Sequence, residues 1–354
     1  MSDLVVEAHT GPYRVHFDEN ALTALNDAQA TGTHVLVDSR VAELYAKQLE
    51  RLLAGPSVLR IEATEEAKSL ERFPRYVEAL VGDGIRRDHR LVAVGGGVIQ
   101  DITAFLAAVL LRGIAWSFYP TTLLAQADSC IGSKSSINVG RQKNILGTYT
   151  PPSEITIDTT VLETLDPVDF RSGVGEILKV HAIDGPAAFD RIAAEYDLLS
   201  TDRGLLRDAI RRSLEIKRRI IEVDEFDRGP RNVMNYGHSF GHAIESATGF
   251  AVPHGIAVTL GMDMANYVAT RLGLTTEAHY QRMHPTLAAN YVGFEDTEIP
   301  LDSFLDAIAK DKKNIGTTLR LVLPDANGIV SLVEQPHDDA FRAACADYLE
   351  HGRS

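Results

Sequence analysis

Arg90-Leu-Val-Ala-Val-Gly-Gly-Gly97 is the part of this 354-residue chain from which the fold class follows. Its four consecutive apolar residues fit a strand that is buried on both faces, and the glycines come directly after it. Residues 98–111 then have helical spacing. Between a strand and a helix, glycines let backbone N–H groups approach a pyrophosphate at the helix N-terminus. The stretch lacks the G-x-G-x-x-G fingerprint, so a tight turn without a ligand is the alternative.

Strand and helix patterns alternate on both sides of this stretch. Strands are predicted at residues 13–17, 34–38, 58–63, 114–119 and 154–158, and helices at 41–53 and 65–80. Strands that alternate with helices imply parallel pairing with right-handed crossovers. We therefore predict that residues 1–165 form an α/β, Rossmann-like N-terminal domain.

The pattern changes after Leu165-Asp-Pro167. Residues 169–271 have helical spacing almost throughout, and Gly/Pro pairs cut them into separate helices. Further helices are predicted at 277–287, 301–310 and 340–350, with a small strand pair at 319–323 and 329–333. Residues 166–354 are therefore predicted to form a second, mainly α-helical domain.

A histidine-rich stretch, Asn235-Tyr-Gly-His-Ser-Phe-Gly-His-Ala-Ile-Glu245, lies in the helical half. His238 and His242 are four residues apart, so they would share one helix face, and His254 follows in a Pro/Gly turn. A catalytic zinc site uses three protein ligands, and histidine is the commonest of them. Surface or core-edge histidines are the alternative. Spacing alone leaves open which three of His238, His242, Glu245 and His254 would bind a metal.

The composition excludes several classes of protein. A net charge of -14 argues against a nucleic-acid surface, because phosphate binding needs concentrated Lys and Arg. The two cysteines, Cys130 and Cys345, have no metal-ligand spacing and fit a reducing compartment. The N-terminus has no basic region followed by an apolar core, and the longest apolar runs are too short to span a bilayer. We expect a cytoplasmic protein without nucleic-acid or membrane partners.

Polar residues in loops of the first half would suit an anionic ligand. They are Lys134, Lys143 and Asn144, with Arg112 as a further cation, and Asp38 could accept hydrogen bonds from ribose hydroxyls. Solvated surface side chains are the alternative.

The helical half offers a second group of cations. Glu176 and Lys179 have the spacing of an ordinary surface ion pair on a helix. Lys217, Arg231 and Asn235 lead into the histidine stretch.

Taken together, these motifs resemble the 3-dehydroquinate synthase family, within the wider group of sugar phosphate cyclases. The resemblance covers roughly residues 35 to 325 and is carried, in order, by Gly95-Gly-Gly-Val-Ile-Gln-Asp101, Leu111-Arg-Gly113, Pro120-Thr-Thr-Leu-Leu-Ala-Gln-Ala-Asp128, Gly132-Ser-Lys134, Lys143-Asn144, Glu176-Ile-Leu-Lys179, Arg231-Asn232, Asn235-Tyr-Gly-His-Ser-Phe-Gly-His242, His254-Gly255 and Asp311-Lys-Lys313.

The resemblance implies that residues 1–165 bind NAD and residues 166–354 bind metal and substrate, and it implies a role for each matching residue. A metal ion, zinc or cobalt, would be held by Glu176, His238 and His254. NAD would be bound by Asp38, Glu65, Lys68, Gly95, Gly96, Gly97, Asp101, Thr121, Thr122 and Asp128. The catalytic residues would be Lys134, Lys179, Lys217, Arg231, Asn235 and His242, the last of which faces the substrate. Further substrate contacts would come from Arg112, Lys143, Asn144, Asp227, Lys312 and Lys313. The family forms homodimers in which the arginine matching Arg112 reaches the partner's site.

The implied reaction converts 3-deoxy-D-arabino-heptulosonate 7-phosphate to 3-dehydroquinate and phosphate, a step of the shikimate pathway to aromatic amino acids. It combines transient oxidation by NAD, phosphate elimination, re-reduction and intramolecular aldol closure. The alternatives are a related cyclase acting on sedoheptulose 7-phosphate, an amino-dehydroquinate synthase, a metal-dependent polyol dehydrogenase of the same fold, and a catalytically inactive homologue.

The sequence departs from the family pattern around the pocket. Gln100 and Ser133 stand where glycine is common, and Ile256 stands where an acidic residue commonly follows His-Gly. Residues 140–144, Gly-Arg-Gln-Lys-Asn, replace Pro-Leu-Gly-Lys-Asn, and Asp227 replaces a glutamate. An altered substrate would fit these changes. Against that, the retained set of Lys217, Arg231, Asn235 and His242 resembles the residues that bind the substrate carboxylate in dehydroquinate synthase.

Overall fold

The computed structural model describes residues 3–28, 31–140, 142–310, 314 and 318–353. The chain folds into two compact units, Met1–Leu165 with Lys217–Phe226, and Asp166–Ile216 with Asp227–Ser354. Residues 217–226 thus belong with the first unit and not with the predicted helical domain. Residues 217–223 are the end of the continuous helix Arg203–Val223, and an unbroken helical pattern carries no sequence signal of such a boundary.

The first unit is built on a seven-stranded sheet. Its strands are β1 Leu4–Val6, β2 Tyr13–Phe17, β3 Thr33–Asp38, β4 Val58–Ile61, β5 Arg90–Gly95, β6 Ala115–Pro120 and β9 Glu154–Ile157. Two further strands, β7 Ile137–Val139 and β8 Gln142–Leu146, form a separate hairpin. The sheet order is β1-β2-β9-β6-β5-β3-β4. All neighbours are parallel except the edge pair β1 and β2. Because parallel strands end at the same edge, the loops after β3, β5 and β6 lie at one edge of the sheet.

Helices cover the sheet of the first unit. They are α1 Ala21–Asp27, α2 Ser39–Leu44, α3 Glu50–Leu53, α4 Phe73–Gly82 and α5 Gly97–Val109. Val35 and Val37 of β3 and Val92 and Val94 of β5 alternate along their strands, and they form one core with α1, α2 and α3. α5 packs on β3, β5 and β6.

Two predicted helices of this unit differ from the observed ones. The helix predicted at 41–53 is the two short helices α2 and α3, joined by a turn. The one predicted at 65–80 begins only at Phe73, because Pro74 is tolerated in the first turn of a helix but not in its interior. The edge strand β1 and the β7–β8 hairpin were not predicted.

The second unit is mainly helical. Its elements are α6 Pro167–Asp184, α7 Pro186–Glu195, α8 Arg203–Val223 up to Ile216, α9 His238–Ala247, α10 His254–Arg271, α11 Glu277–Asn290, α12 Leu301–Ala309, β10 Thr318–Pro324, β11 Val330–Pro336 and α13 Asp339–His351. α10 is buried from Gly255 to Ala269 and contacts α6, α9, α11 and α13. A helix that is apolar around nearly its whole circumference belongs in the middle of a bundle, and α10 is the centre of this one.

These observations confirm the predicted fold class, an α/β Rossmann-like N-terminal part followed by a mainly α-helical C-terminal part. Both cysteines, Cys130 and Cys345, are buried and free. Within the described residues, every helix is too short or too polar to cross a membrane.

Candidate metal and cofactor sites

The three predicted metal ligands come from three helices of the second unit. Glu176 lies in α6, while His238 and His254 are the first residues of α9 and α10. Glu176 Oε1 is 3.7 Å from His238 Nε2 and 3.6 Å from His254 Nε2. Ligand atoms around one tetrahedral zinc ion, each about 2.0–2.1 Å from the metal, stand about 3.3 Å apart. The two distances fit a single ion after small side-chain adjustments.

Each of these ligands has a glycine beside it in the sequence, and packing explains why. A Cβ on Gly175 would lie 2.3 Å from the Gly255 carbonyl oxygen, and a Cβ on Gly255 would lie 1.9 Å from that of Ser172. A Cβ on Gly237, which also has a positive φ of 74°, would lie 2.6 Å from the Val258 carbonyl oxygen. These glycines allow α6, α9 and α10 to approach closely enough for the ligands to meet.

The second ring nitrogen of each histidine is held by another group. His238 Nδ1 is 3.2 Å from the Tyr236 carbonyl oxygen, and His254 Nδ1 is 3.2 Å from Glu245 Oε2. When Nδ1 carries the proton in such a contact, the Nε2 lone pair is free for a metal. Burial, followed by the Lys179 charge, lowers the pKa of His238 well below its usual value and keeps the ring neutral, as a ligand must be. The contact between Glu245 Oε2 and His254 Nδ1 likewise fixes the orientation of the His254 ring.

Glu176 and Lys179 form a buried pair, not the surface pair that their spacing indicates. Lys179 Nζ lies 2.5 Å from Glu176 Oε2, and each residue is 2% exposed. The pair is buried because α6 packs against the central helix α10 along its length. The contact leaves Glu176 Oε1 directed at the two imidazoles and places a cation within reach of a ligand bound there.

His242 is the exposed member of the histidine group. One ring nitrogen from each of His238, His242 and His254 can be chosen so that all three atoms lie within 4.8 Å of one another. His242 also lines a cavity of about 260 Å³ with Ser239, Ser246 and Lys310. Geometry alone is therefore compatible with a Glu/His/His set and with a three-histidine set.

Two other predicted residues of the second unit, Arg231 and Asn235, lie in the turn that precedes α9 in the sequence. Arg231 is buried in the 3-10 turn Pro230–Asn235, and Asn235 Nδ2 donates to the Asn232 carbonyl oxygen at 3.0 Å. Asp227 is part-buried and has a positive φ of 54°. Lys312 and Lys313 lie outside the described residues.

In the first unit, the glycine turn leads directly into α5, with Gly96 as its N-cap. A Cβ on Gly95 would lie 2.5 Å from Ile99 Cγ1, and one on Gly96 would lie 2.8 Å from Thr122 Cγ2. A Cβ on Gly97 would meet only Ser129 Oγ, at 3.9 Å. The first two glycines are thus required by packing, while the third leaves open space at the N-terminus of a 13-residue helix.

Two residues predicted to contact the cofactor, Asp38 and Thr122, accept hydrogen bonds from nearby backbone N–H groups. Asp38 ends β3 and accepts a hydrogen bond at 2.9 Å from Arg40 N, which caps α2, and burial raises its pKa. Thr122 Oγ1 accepts from Ala125 N at 3.2 Å, and Thr121, at the end of β6, is buried.

Lys68 contacts three residues that are predicted to bind NAD or substrate. Its Nζ donates to Asp101 Oδ2 and to Asn144 Oδ1, both at 3.0 Å, and lies 3.6 Å from Glu65 Oε1. Burial raises the pKa of Asp101 to about 6, although the Lys68 charge acts in the opposite direction. The structure thus brings together residues predicted to bind NAD and one predicted to bind substrate.

Asp128 and Lys217 form a second buried pair in this unit. Lys217 Nζ is 2.5 Å from Asp128 Oδ1 and donates to the Asp128 carbonyl oxygen at 2.7 Å. Next to them, Gln100 Nε2 donates to the Ser129 carbonyl oxygen and Ser129 Oγ donates to Gln100 Oε1, both at 2.6 Å. Gln100 therefore ties the first turns of α5 to the π-helical turn Ala125–Ser129 that carries Asp128.

The remaining predicted residues of this unit are exposed. They are Lys134, Lys143, Asn144 and Arg112. Ser133, beside Lys134, has a φ of 64°, and its Oγ donates to Glu225 Oε1 at 2.7 Å. Ile256, by contrast, is fully buried in α10 of the second unit, so its side chain contributes to the core of the bundle.

Comparison with known proteins identifies the family. Residues 58–172 match the 3-dehydroquinate synthase N-terminal family, and residues 173–314 match the 3-dehydroquinate synthase C-terminal family. The 3-dehydroquinate synthase of Caldanaerobacter subterraneus subsp. tengcongensis is 34% identical over 358 residues, covering 97% of this chain and 99% of that one. The chain belongs to the 3-dehydroquinate synthase family. Another 3-dehydroquinate synthase, from Cereibacter sphaeroides, is 36% identical over 326 residues, or 89% of this chain and 88% of that one.

Solved structures extend the comparison to other cyclases. ValA, a 2-epi-5-epi-valiolone synthase from Streptomyces hygroscopicus subsp. jinggangensis with NAD⁺ and Zn²⁺ bound, is 30% identical, with a TM-score of 0.84 over 96% of this chain and 97% of that one. A 2-deoxy-scyllo-inosose synthase complexed with carbaglucose-6-phosphate, NAD⁺ and Co²⁺ has a TM-score of 0.82 at 22% identity, over 97% of this chain and 99% of that one, and shows the shared fold.

Proposed function

We propose that this chain is a 3-dehydroquinate synthase, a phosphate-eliminating lyase that uses NAD and a divalent metal ion. It would convert 3-deoxy-D-arabino-heptulosonate 7-phosphate to 3-dehydroquinate and phosphate. The observation that carries the proposal is the meeting of Glu176 Oε1 with two imidazole Nε2 atoms, beside a buried lysine, in a chain similar to these synthases over nearly its whole length.

The donor atoms of the second unit suit zinc or cobalt. Glu176, His238 and His254 would hold the ion, with one position left open for substrate. Tyr236 and Glu245 would fix the two rings through their Nδ1 atoms. Bound there, the metal supplies Lewis-acid stabilisation of negative charge on a substrate oxygen.

The first unit would bind NAD around its glycine turn. The start of α5 offers backbone N–H groups to the pyrophosphate, and the open space at Gly97 lets the ligand approach. Glu65, Lys68 and Asp101 form a polar group beside that helix end. Bound there, NAD supplies a hydride acceptor that is regenerated within each turnover, so the reaction has no net redox change.

The lysines, arginine and asparagines would orient an anionic substrate. Cations suit both its phosphate and its carboxylate, and holding the two ends fixes the reacting carbon atoms, which supplies much of the rate. We assign phosphate or carboxylate contacts to Arg112, Lys134, Lys143, Asn144, Lys217, Arg231, Asn235, Lys312 and Lys313, and a further substrate contact to Asp227. Lys179 would act on the substrate oxygen nearest Glu176, and the exposed His242 would move a proton at a substrate hydroxyl.

The assembly and location also belong to the proposal. We expect a homodimer in which Arg112 of each chain reaches the partner's site. Two buried, unpaired cysteines suit the reducing environment of the cytoplasm, where we expect the enzyme to work.

A substrate comparison tests the proposed function. The purified, zinc-loaded chain with NAD is incubated separately with the heptulosonate phosphate, its amino analogue and sedoheptulose 7-phosphate, and phosphate release is measured. We expect turnover of the heptulosonate phosphate without accumulation of NADH. Turnover of sedoheptulose 7-phosphate alone would contradict the proposed substrate, and stoichiometric NADH with a polyol would assign a dehydrogenase instead.

A further inference from the structure

Asn138 is a buried side chain of β7 whose amide is fully engaged. It is 5% exposed. Its Nδ2 donates to the Glu65 carbonyl oxygen at 2.9 Å and to Glu65 Oε2 at 3.0 Å. Its Oδ1 accepts from Asn144 N at 2.9 Å. Because one end meets only acceptors and the other meets a backbone donor, these contacts fix the orientation of the amide.

The backbone around Asn138 strengthens this connection. Asn138 N donates to the Lys68 carbonyl oxygen at 2.9 Å, and Lys68 Nζ returns to Asn144 Oδ1 at 3.0 Å. Asn144 has a φ of 56°, a left-handed conformation that costs free energy for a residue other than glycine. The hydrogen bond from Asn144 N to Asn138 helps to hold that conformation in the exposed strand β8.

We propose that Asn138 is a positioning residue, whose amide holds Glu65 with one end and Asn144 with the other. The proposal rests on the proposed function, in which Glu65 contacts NAD and Asn144 contacts the substrate. In this proposal Asn138 acts through Glu65 and Asn144 and has no ligand contact of its own. Because the Nδ2 end contacts Glu65 and the Oδ1 end contacts Asn144, a substitution that changes only one end should affect only one of the two ligands.

Asn138→Asp separates the two ends. The variant keeps an oxygen for Asn144 N, but it places a second oxygen against the carbonyl and carboxylate of Glu65, where both partners are acceptors. Asn138→Ala removes both the Nδ2 donor and the Oδ1 acceptor. Loss of a buried hydrogen-bond partner changes binding by roughly tenfold.

NAD affinity is measured by calorimetry on the zinc-loaded full chain, and substrate KM is measured at saturating NAD. We expect Asn138→Asp to raise the Kd for NAD about tenfold and to change substrate KM less than about twofold. Asn138→Ala should raise both quantities about five- to tenfold. Asn26→Ala is the matched control, because Asn26 Oδ1 accepts from Arg51 N at 2.9 Å and from Leu52 N at 3.1 Å within the same unit. It should leave both quantities unchanged.

Equal effects of Asn138→Asp on both quantities, or none on NAD affinity, would overturn the positioning role. Hydrogen exchange without ligands provides a readout that is independent of activity. The Asn144 amide should stay protected in Asn138→Asp and exchange faster in Asn138→Ala, whereas equal protection in all three chains would also overturn the role. A wild-type chain that binds no NAD would refute the proposed function, and the exchange data would still decide the role of Asn138.

Discussion

Glu176 Oε1 and His254 Nε2 lie 3.6 Å apart, although one residue is within α6 and the other begins α10. This proximity depends on how closely the two helix backbones pack. Gly175 and Gly255 face each other so tightly that neither tolerates a Cβ. The candidate metal site and the core of the bundle therefore depend on the same two glycines.

Gly255→Ala should damage both stability and metal binding. Its new Cβ would lie 1.9 Å from the Ser172 carbonyl oxygen, a backbone atom that cannot move without shifting α6. We expect a loss of about 3 kcal/mol in the free energy of unfolding, measured with urea, and at least tenfold weaker zinc binding. Gly82→Ala is the control, because a Cβ there meets nothing within 4 Å, and it should change stability by less than about 1 kcal/mol. Wild-type zinc affinity in Gly255→Ala would contradict this account of the packing.

Lys179→Met should destabilise the metal-free protein. It leaves the Glu176 carboxylate buried without its closest cation, which costs about 3 kcal/mol. Zinc should recover part of the loss because the ion provides a new positive partner. Arg191→Met is the control, since Arg191 forms an exposed helical pair with Glu195 worth at most about 0.5 kcal/mol. Urea unfolding with and without zinc measures these effects, and an unchanged metal-free stability would argue against the buried pair.

His181 should make the metal-free protein sensitive to acid. It is buried in α6, its Nδ1 donates to the Ile177 carbonyl oxygen at 2.8 Å, and burial lowers its pKa from 6.5 to about 4. As pH falls below 6.5, the unfolded chain takes up the proton first, so stability is full above that pH and is lost toward pH 4. From pH 7 to pH 5 this loss should be about 2 kcal/mol.

His181→Leu should remove that part of the pH dependence. Unfolding free energies of the wild type and the variant are compared from pH 5 to pH 7.5 in the presence of a chelator. Parallel curves would mean that His181 does not titrate as its burial requires.

The sheet could be predicted because buried parallel strands have short apolar sequences with little polar interruption. The exposed strand β8 has no such pattern, and its hairpin depends on tertiary contacts such as that of Asn138 with Glu65. The sequence pattern places the end of α8 with the second unit, whereas residues 217–226 cluster with the first, for a related reason. An amphipathic helix shows which face is apolar, but not which neighbour covers that face.

Part of the site could likewise be predicted from spacing. His238 and His242 share a helix, so their proximity follows from the helical period. The contribution of Glu176 depends on a separate helix and only the family resemblance indicated it. The roles of Tyr236 and Glu245 behind the imidazoles had no sequence signal beyond their closeness to the histidines. The meeting of the three helices does have a sequence signal, the glycine beside each candidate ligand, because a glycine allows two backbones to approach closely.

Zinc content distinguishes a Glu176/His238/His254 ligand set from one of three histidines. Wild type, Glu176→Gln, His254→Ala and His242→Ala are loaded with zinc, dialysed against the same weak chelator and analysed for metal. We expect about one equivalent of zinc in wild type and in His242→Ala, and strongly reduced zinc in Glu176→Gln and His254→Ala. Loss of zinc from His242→Ala together with its retention in Glu176→Gln would rule out Glu176 as a ligand and assign a three-histidine site.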